Sequence, residues 1–292
     1  MNSVNDMPNL LKSFYISFYV SALFGASLHI GTKLLTAPSI FWAGAAISIW
    51  PALLFFVRLF MAPVARTSPN LNRLIACAGL GLIVGVLSYD NNAEATWFYL
   101  YNCALGVAGS LLYIYWYSRL GRVDSAELAN DKTLPPFQLK SADGTMWDSN
   151  DAKNYPALML FFRGNWCPLC MAQIKEISSL YQQLERMGIK VLLVSPQPEK
   201  HTQSLAAKFN VNFTFLIDEN GAVARQLGIA AKQGTPKGME VLGYESDTVL
   251  PTAIALDSTG KIIWTDQTDN YRVRPEPQMF IDVFRQHDLS HQ

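Results

Sequence analysis

Four apolar stretches follow one another through the first 117 residues, and charged side chains are almost confined to the gaps between them. Phe14 to Ile30 lies between Lys12 and Lys33, Ser39 to Val57 ends at Arg58, Leu74 to Tyr89 is the shortest, and Thr96 to Tyr117 stops before Arg119. A hydrocarbon core about 30 Å thick is crossed by about 20 apolar helical residues, so this pattern predicts an α-helical membrane bundle of about four spans. A cleaved signal peptide would account for the first stretch and not for the three that follow. Trp97, Phe98 and Tyr99 at one end of the fourth stretch, and Tyr115, Trp116 and Tyr117 at the other, put amphipathic rings where headgroups lie. Gly81-x-x-x-Gly85 in the third stretch would let helices approach closely, and Pro51 is expected to kink the second.

The short-loop charges orient the bundle. With four spans, Lys12, Arg58, Arg66, Arg73, Arg119 and Arg122 fall on one side, and Lys33, Asp90 and Glu94 on the other. Cytoplasmic loops carry the excess of Lys and Arg. The expectation is therefore an integral protein of the inner or plasma membrane, in contact with membrane lipid, with both termini cytoplasmic.

Beyond Arg119 the charge density becomes that of an ordinary soluble domain. Residues 1–122 are read as the transmembrane domain, 123–132 as a linker and 133–292 as a globular domain. Lys plus Arg and Asp plus Glu each number 23, so no net charge points to nucleic acid as a partner. Ala157 to Phe162 and Lys190 to Ser195 are continuous apolar runs that suit buried strands. Met171 to Met187 between them has helical spacing, with Ile174, Ile177, Leu180, Tyr181 and Leu184 on one face. His201 to Phe209 reads as a helix and Phe213 to Ile217 as a strand. Thr252 to Asp257 and Lys261 to Thr265 read as a hairpin, and Gln278 to Gln286 as a closing helix. This order implies an α/β domain with a central mixed sheet and helices on its faces.

Two of the four cysteines, Cys167 and Cys170, form a Cys-x-x-Cys at the start of the first such helix. That arrangement suits thiol chemistry. The nucleophile is the thiolate, and unpaired N–H groups at a helix N-terminus favour it. Cys167 is expected to be the exposed attacking thiol and Cys170 the buried one that resolves a mixed disulfide. Pro168 fits the first turn, where its missing N–H costs nothing. Arg163 is a nearby cation able to stabilise the thiolate. A zinc site would need two further ligands at suitable spacing, and His29, His201, His287 and His291 do not supply them. No metal or other cofactor is therefore expected. Cys77 and Cys103 lie near opposite edges of their spans and are read as packing residues rather than a redox pair.

Trp166-Cys167-Pro168-Leu169-Cys170 after a long buried strand resembles the thioredoxin superfamily. The segments around it resemble one branch, the peroxiredoxin-like AhpC/TSA (redoxin) family, over residues 131–288. Leu134-Pro135-Pro136-Phe137-Gln138-Leu139 with Asp143-Gly144 is similar to that family's opening strand and turn. Phe162-Arg163-Gly164-Asn165-Trp166-Cys167-Pro168 is similar to its active-site approach, and Ser195-Pro196-Gln197 follows the second strand as expected. Pro251-Thr252 before Asp257-x-x-Gly260, and the run Asp269 to Pro277, resemble its later segments.

The resemblance implies that Pro251 is a cis proline packed on the dithiol and that Trp166 shields one side of the site. It implies a thiol-disulfide oxidoreductase or thiol peroxidase, reduced by a thiol reductant such as thioredoxin, glutaredoxin or glutathione and acting on a disulfide or hydroperoxide. Two positions depart from the pattern. Gly164 stands where peroxiredoxins carry threonine or serine, with Leu160 in place of their proline, so peroxide reduction is expected to be slow. Phe161 stands where thioredoxin has a buried acid. A non-enzymatic redox sensor in the membrane is the alternative reading.

Overall fold

The computed structural model describes residues 6–88, 95–209 and 211–290; Tyr89, Asp90 and Glu94 of the loop reading above lie outside them. The chain divides into a helical unit over residues 11–63 and 67–119 and a second unit built chiefly on residues 120–292.

The helical unit contains α1 (Asp6–Thr36), α2 (Ile40–Met61), α3 (Asn72–Leu87) and α4 (Ala95–Tyr117). Among the described residues, α1, α2 and α4 are long and apolar enough to cross a membrane; α3, with 16 residues, is apolar but shorter. A helix of that length spans roughly 24 Å. α2 runs unbroken through Pro51. Much of α4 is wound as π-helix, over Phe98–Gly109 and Tyr113–Tyr117.

The Gly81 spacing has the consequence expected of it. A Cβ at Gly81 would stand 2.5 Å from the Gly44 carbonyl and 2.3 Å from Ser48 Oγ, so α2 and α3 touch backbone to backbone. Several polar groups inside the bundle are hydrogen-bonded within it. Ser48 Oγ donates to Asn102 Oδ1 at 2.8 Å, and the Tyr15 hydroxyl donates to the Gly109 carbonyl at 2.6 Å. Large apolar side chains, among them Phe18, Leu28, Leu54, Phe60 and Ile83, point outward instead. Cys77 and Cys103 are half-buried and free.

The second unit is built on a seven-stranded mixed sheet in the order β2-β1-β5-β4-β3-β8-β9. Its strands are β1 (Gln138–Ser141), β2 (Met146–Asp148), β3 (Ala157–Phe161), β4 (Lys190–Ser195), β5 (Thr214–Ile217), β8 (Thr252–Leu256) and β9 (Ile262–Asp266); β6 (Ala230–Ala231) and β7 (Thr248–Val249) make a separate ribbon. β3, β4 and β5 are parallel, and β8 lies antiparallel beside β3. β3 and β8 are buried at every position because both faces of the sheet are covered. The helices are α5 (Pro168–Ser179), α6 (Tyr181–Arg186), α7 (Glu199–Ala206), α8 (Ala222–Gln226) and α9 (Pro277–Ser290). The single helix expected over Met171 to Met187 is two helices, broken at Leu180, whose ψ of 3° leaves the helical path.

Candidate active site

β3 ends in the sheet centre and delivers Phe162 to Trp166 to the start of α5. Cys167 is the N-cap of that helix, with Pro168 at its first turn. Its backbone N–H donates to the Gly164 carbonyl at 3.2 Å, and its own carbonyl accepts from Met171 at 3.1 Å. One turn on, Cys170 Sγ lies 2.8 Å from Cys167 Sγ, in an S–H···S contact.

Cys167 is not the exposed thiol expected from its position. It is 2% exposed, against 0% for Cys170. The Cys167 sulfur lies against that of Cys170 rather than in solvent.

The electrostatics of the pair follow from a residue the motif does not contain. Arg274 is buried and aims Nη2 at Cys170 Sγ, 3.4 Å away. Burial works against an anion on Cys170. The sulfur–sulfur hydrogen bond with Cys167, the charge of Arg274, and the backbone N–H and charge of Arg163 outweigh it, and lower the Cys170 pKa to about 5. Burial pushes the Cys167 thiol up, and the anionic neighbour adds to this. The two thiols are thus pushed apart in acidity, and the pair shares one proton and one negative charge between its sulfurs.

Arg163 is buried against the site. Its guanidinium lies 4.8 Å from the centre of the Trp166 ring and 5.9 Å from that of Tyr271, and it donates to the Gly234 carbonyl. Trp166 is half-buried and stacks on Arg163. Pro251 lines a small cleft together with Gln173 and Arg274, and its carbonyl accepts from Arg122 Nη1 at 3.0 Å. The peptide bond before Pro251 is trans, contrary to the cis form expected. The chain stays extended from β7 into β8, with the Leu250 N–H donating to the Ile229 carbonyl at 2.8 Å.

Sequence reading overlooked Arg274 and Gln197. Gln197 Oε1 accepts from the Asn165 N–H at 2.8 Å and holds the approach loop in place. Both lie in segments quoted for their family likeness, but spacing along the chain did not announce their contacts. Among the described residues no three His, Cys, Asp or Glu side chains converge as a metal site would require.

Gly164 has a structural reason to be glycine. Its φ is +142°, and a Cβ there would stand 2.7 Å from Trp166 Nε1. A threonine hydroxyl at this position is therefore incompatible with the Trp166 packing. Gly164→Thr is expected to lower stability by roughly 1–3 kcal/mol and to leave hydroperoxide turnover no faster, as thermal melts and peroxide consumption would show. A gain in peroxide rate without loss of stability would refute this account.

Residues 131–265 match the model of the AhpC/TSA family. Peroxiredoxin Bcp of Escherichia coli (strain K12) is 26% identical over 128 residues, covering 44% of this chain and 78% of that protein. A putative peroxiredoxin bcp of Coxiella burnetii is 28% identical over 116 residues, covering 40% and 76%. Among solved structures, peroxidoxin BcpB from Mycobacterium tuberculosis superposes with a TM-score of 0.45 at 16% identity, over 55% of this chain and 97% of that one.

Proposed function

Since residues 131–265 belong to the AhpC/TSA family, the peroxiredoxin-like branch of the thioredoxin fold, we propose that this chain is a membrane-anchored thiol-disulfide oxidoreductase working through Cys167 and Cys170. Its peroxiredoxin relatives support thiol peroxidase chemistry in the broad sense, with hydroperoxide as a secondary substrate here. The observation that carries the reading is the sulfur pair at the start of α5, 2.8 Å apart, with the Arg274 guanidinium on one member.

In this mechanism the Cys170 thiolate takes the Cys167 proton as the Cys167 sulfur attacks a substrate disulfide. A Cys167–substrate S–S bond forms, the substrate S–S bond breaks, and the leaving thiolate takes the proton from Cys170. Cys170 then attacks Cys167 Sγ and expels the second substrate thiolate, which is protonated by water. The dithiol ends as a disulfide, the substrate as two thiols. With a hydroperoxide, Cys167 attacks oxygen, the O–O bond breaks and the leaving alkoxide takes the pair's proton to become an alcohol; the Cys170 thiolate then attacks the sulfenic acid and expels hydroxide, which is protonated by solvent. A thiol reductant of the thioredoxin, glutaredoxin or glutathione class restores the dithiol.

The test uses the full chain in detergent, supplied with a thiol reductant and either a small disulfide or a hydroperoxide. Disulfide turnover should exceed peroxide turnover. Peroxide oxidation near the enzymatic ceiling of roughly 10⁸ M⁻¹s⁻¹ would make this a peroxidase first. Reversible oxidation without turnover of either substrate would instead favour the redox sensor.

Membrane attachment is supported by three long apolar helices whose outward faces carry large apolar side chains. With α3 counted as a fourth span, the side of the bundle richer in arginine favours a cytoplasmic redox domain. A C-terminal reporter active only on the outer side of the membrane should stay silent; a strong signal would reverse the orientation.

A further inference from the structure

Arg274 faces more than the two sulfurs. Besides pointing Nη2 at Cys170, it donates from Nη1 to Gln173 Oε1 at 2.5 Å and from Nε to the Tyr271 carbonyl at 3.2 Å. The same residue lines a cavity of about 10 Å³, shared with Leu160, Gln173, Pro251, Asp266 and Asn270. That is room for a single water. Asp266, at the end of β9, is held in place there by the Thr268 backbone N–H and hydroxyl, which donate to Oδ1 at 3.1 Å and 2.5 Å. The buried Asn270 Nδ2 has no partner among the described residues, and a water in this cavity would give it one.

The Asp266 carboxylate acts on Arg274 and on Arg122, and Arg122 is also drawn by Asp124 and Asp269. The thiols are acted on by Arg163 as well as by Arg274, and Arg272 is buried two residues before Arg274. Besides the two sulfurs, the Asp266 carboxylate acts on Arg274. Arg274 thus stands between two anionic groups, the Cys170 thiolate and the Asp266 carboxylate, while Arg163 acts on the thiols from the dithiol's own loop.

We propose that Asp266 is a positioning residue for the dithiol, whose carboxylate draws the Arg274 guanidinium across the water-sized cavity and so limits how tightly that cation holds the Cys170 thiolate. The proposal rests on Cys167 and Cys170 being the reacting pair. It also fits the absence of an acid at Phe161: the carboxylate that governs this dithiol comes from β9 and acts through an arginine.

The test is Asp266→Asn in the full chain in detergent. Iodoacetamide labelling at Cys167 and Cys170, read by mass spectrometry between about pH 4 and 9, gives the titration midpoint of the pair. The dithiol–disulfide equilibrium against glutathione gives its redox poise. The midpoint should fall by about half a unit, equivalent to about threefold more thiolate on the acidic side. The equilibrium should move about threefold toward the dithiol, because stabilising the thiolate makes the disulfide a stronger oxidant. Asp266→Glu should stay near the wild type. A midpoint that is unchanged or raised overturns the proposal. In an Arg274→Gln background the Asp266→Asn shift should shrink to less than half; a full-sized shift there would show that Asp266 does not act through Arg274. If Asp266→Asn fails to fold, Asp266→Ser must give the same sign. Neither readout requires turnover, so both remain measurable if the proposed oxidoreductase activity is not found.

Discussion

Cys167→Ser is expected to abolish disulfide exchange, by at least about a thousandfold in kcat/KM, because it removes the attacking sulfur. Cys170→Ser should differ in kind. With the resolving sulfur gone, the first exchange stops at the mixed disulfide, and Cys167 should be recovered covalently bound to its partner on non-reducing gels. The electrostatics make this a demanding test, since Cys170 is the more acidic member of the pair and Cys167 the less acidic one. If charge alone chose the nucleophile, the phenotypes would be exchanged: Cys167→Ser would trap partners and Cys170→Ser would be inert. The order assigned here follows from position. Cys167 caps α5 while Cys170 sits within its first turn, fully buried.

The second large effect is expected at Arg274. Arg274→Gln keeps a hydrogen-bonding group near Gln173 and removes the charge. The Cys170 pKa of about 5 is held down in part by this cation. Loss of an adjacent opposite charge raises an acid's pKa by roughly 1–3 units, so the thiolate should appear at correspondingly higher pH. The sign is fixed: a thiolate population that rises through about pH 5 in the native protein should rise nearer the ordinary thiol value in the variant. Labelling and turnover should both fall most between those limits and recover at alkaline pH. An unchanged pH profile would exclude Arg274 from the electrostatics of the pair. Arg274→Lys should fall between, since lysine keeps the charge without the planar fork.

Arg274 also illustrates what a sequence can and cannot disclose. The dithiol was legible because its two members are neighbours on one helix and the strand before them is uninterrupted in its apolarity. β3 and β4 announced themselves for the same reason, every residue of their cores being apolar. Arg274 is separated from Cys170 by 104 positions. Nothing local distinguishes it from Arg272, two residues earlier and also buried. Only the folding of the segment after β9 back over α5 selects between them. The two-residue strands β6 and β7 were invisible because their pairing is set by distant partners rather than by a repeating pattern. Gly164 could be read as a departure from the family pattern, but its φ of +142° and the Trp166 ring beside it needed the fold. The exposure expected of Cys167 failed because helix-terminal position says where a sulfur lies along the chain, not what packs over it.

That burial has a kinetic consequence. With both cysteines exposed by 2% or less, a macromolecular disulfide meets no reactive atom until the start of α5 loosens. Turnover on large substrates then has a ceiling set by how often the chain opens locally, a motion of the microsecond-to-second class. Raising the concentration of such a substrate would bring the rate to a plateau even without a tight encounter complex. The half-saturating concentration would report competition between capture and reclosing rather than affinity. A small oxidant or a small thiol would need a far narrower opening and would not meet the same ceiling. The protein would thus sort its reaction partners by size in the time domain.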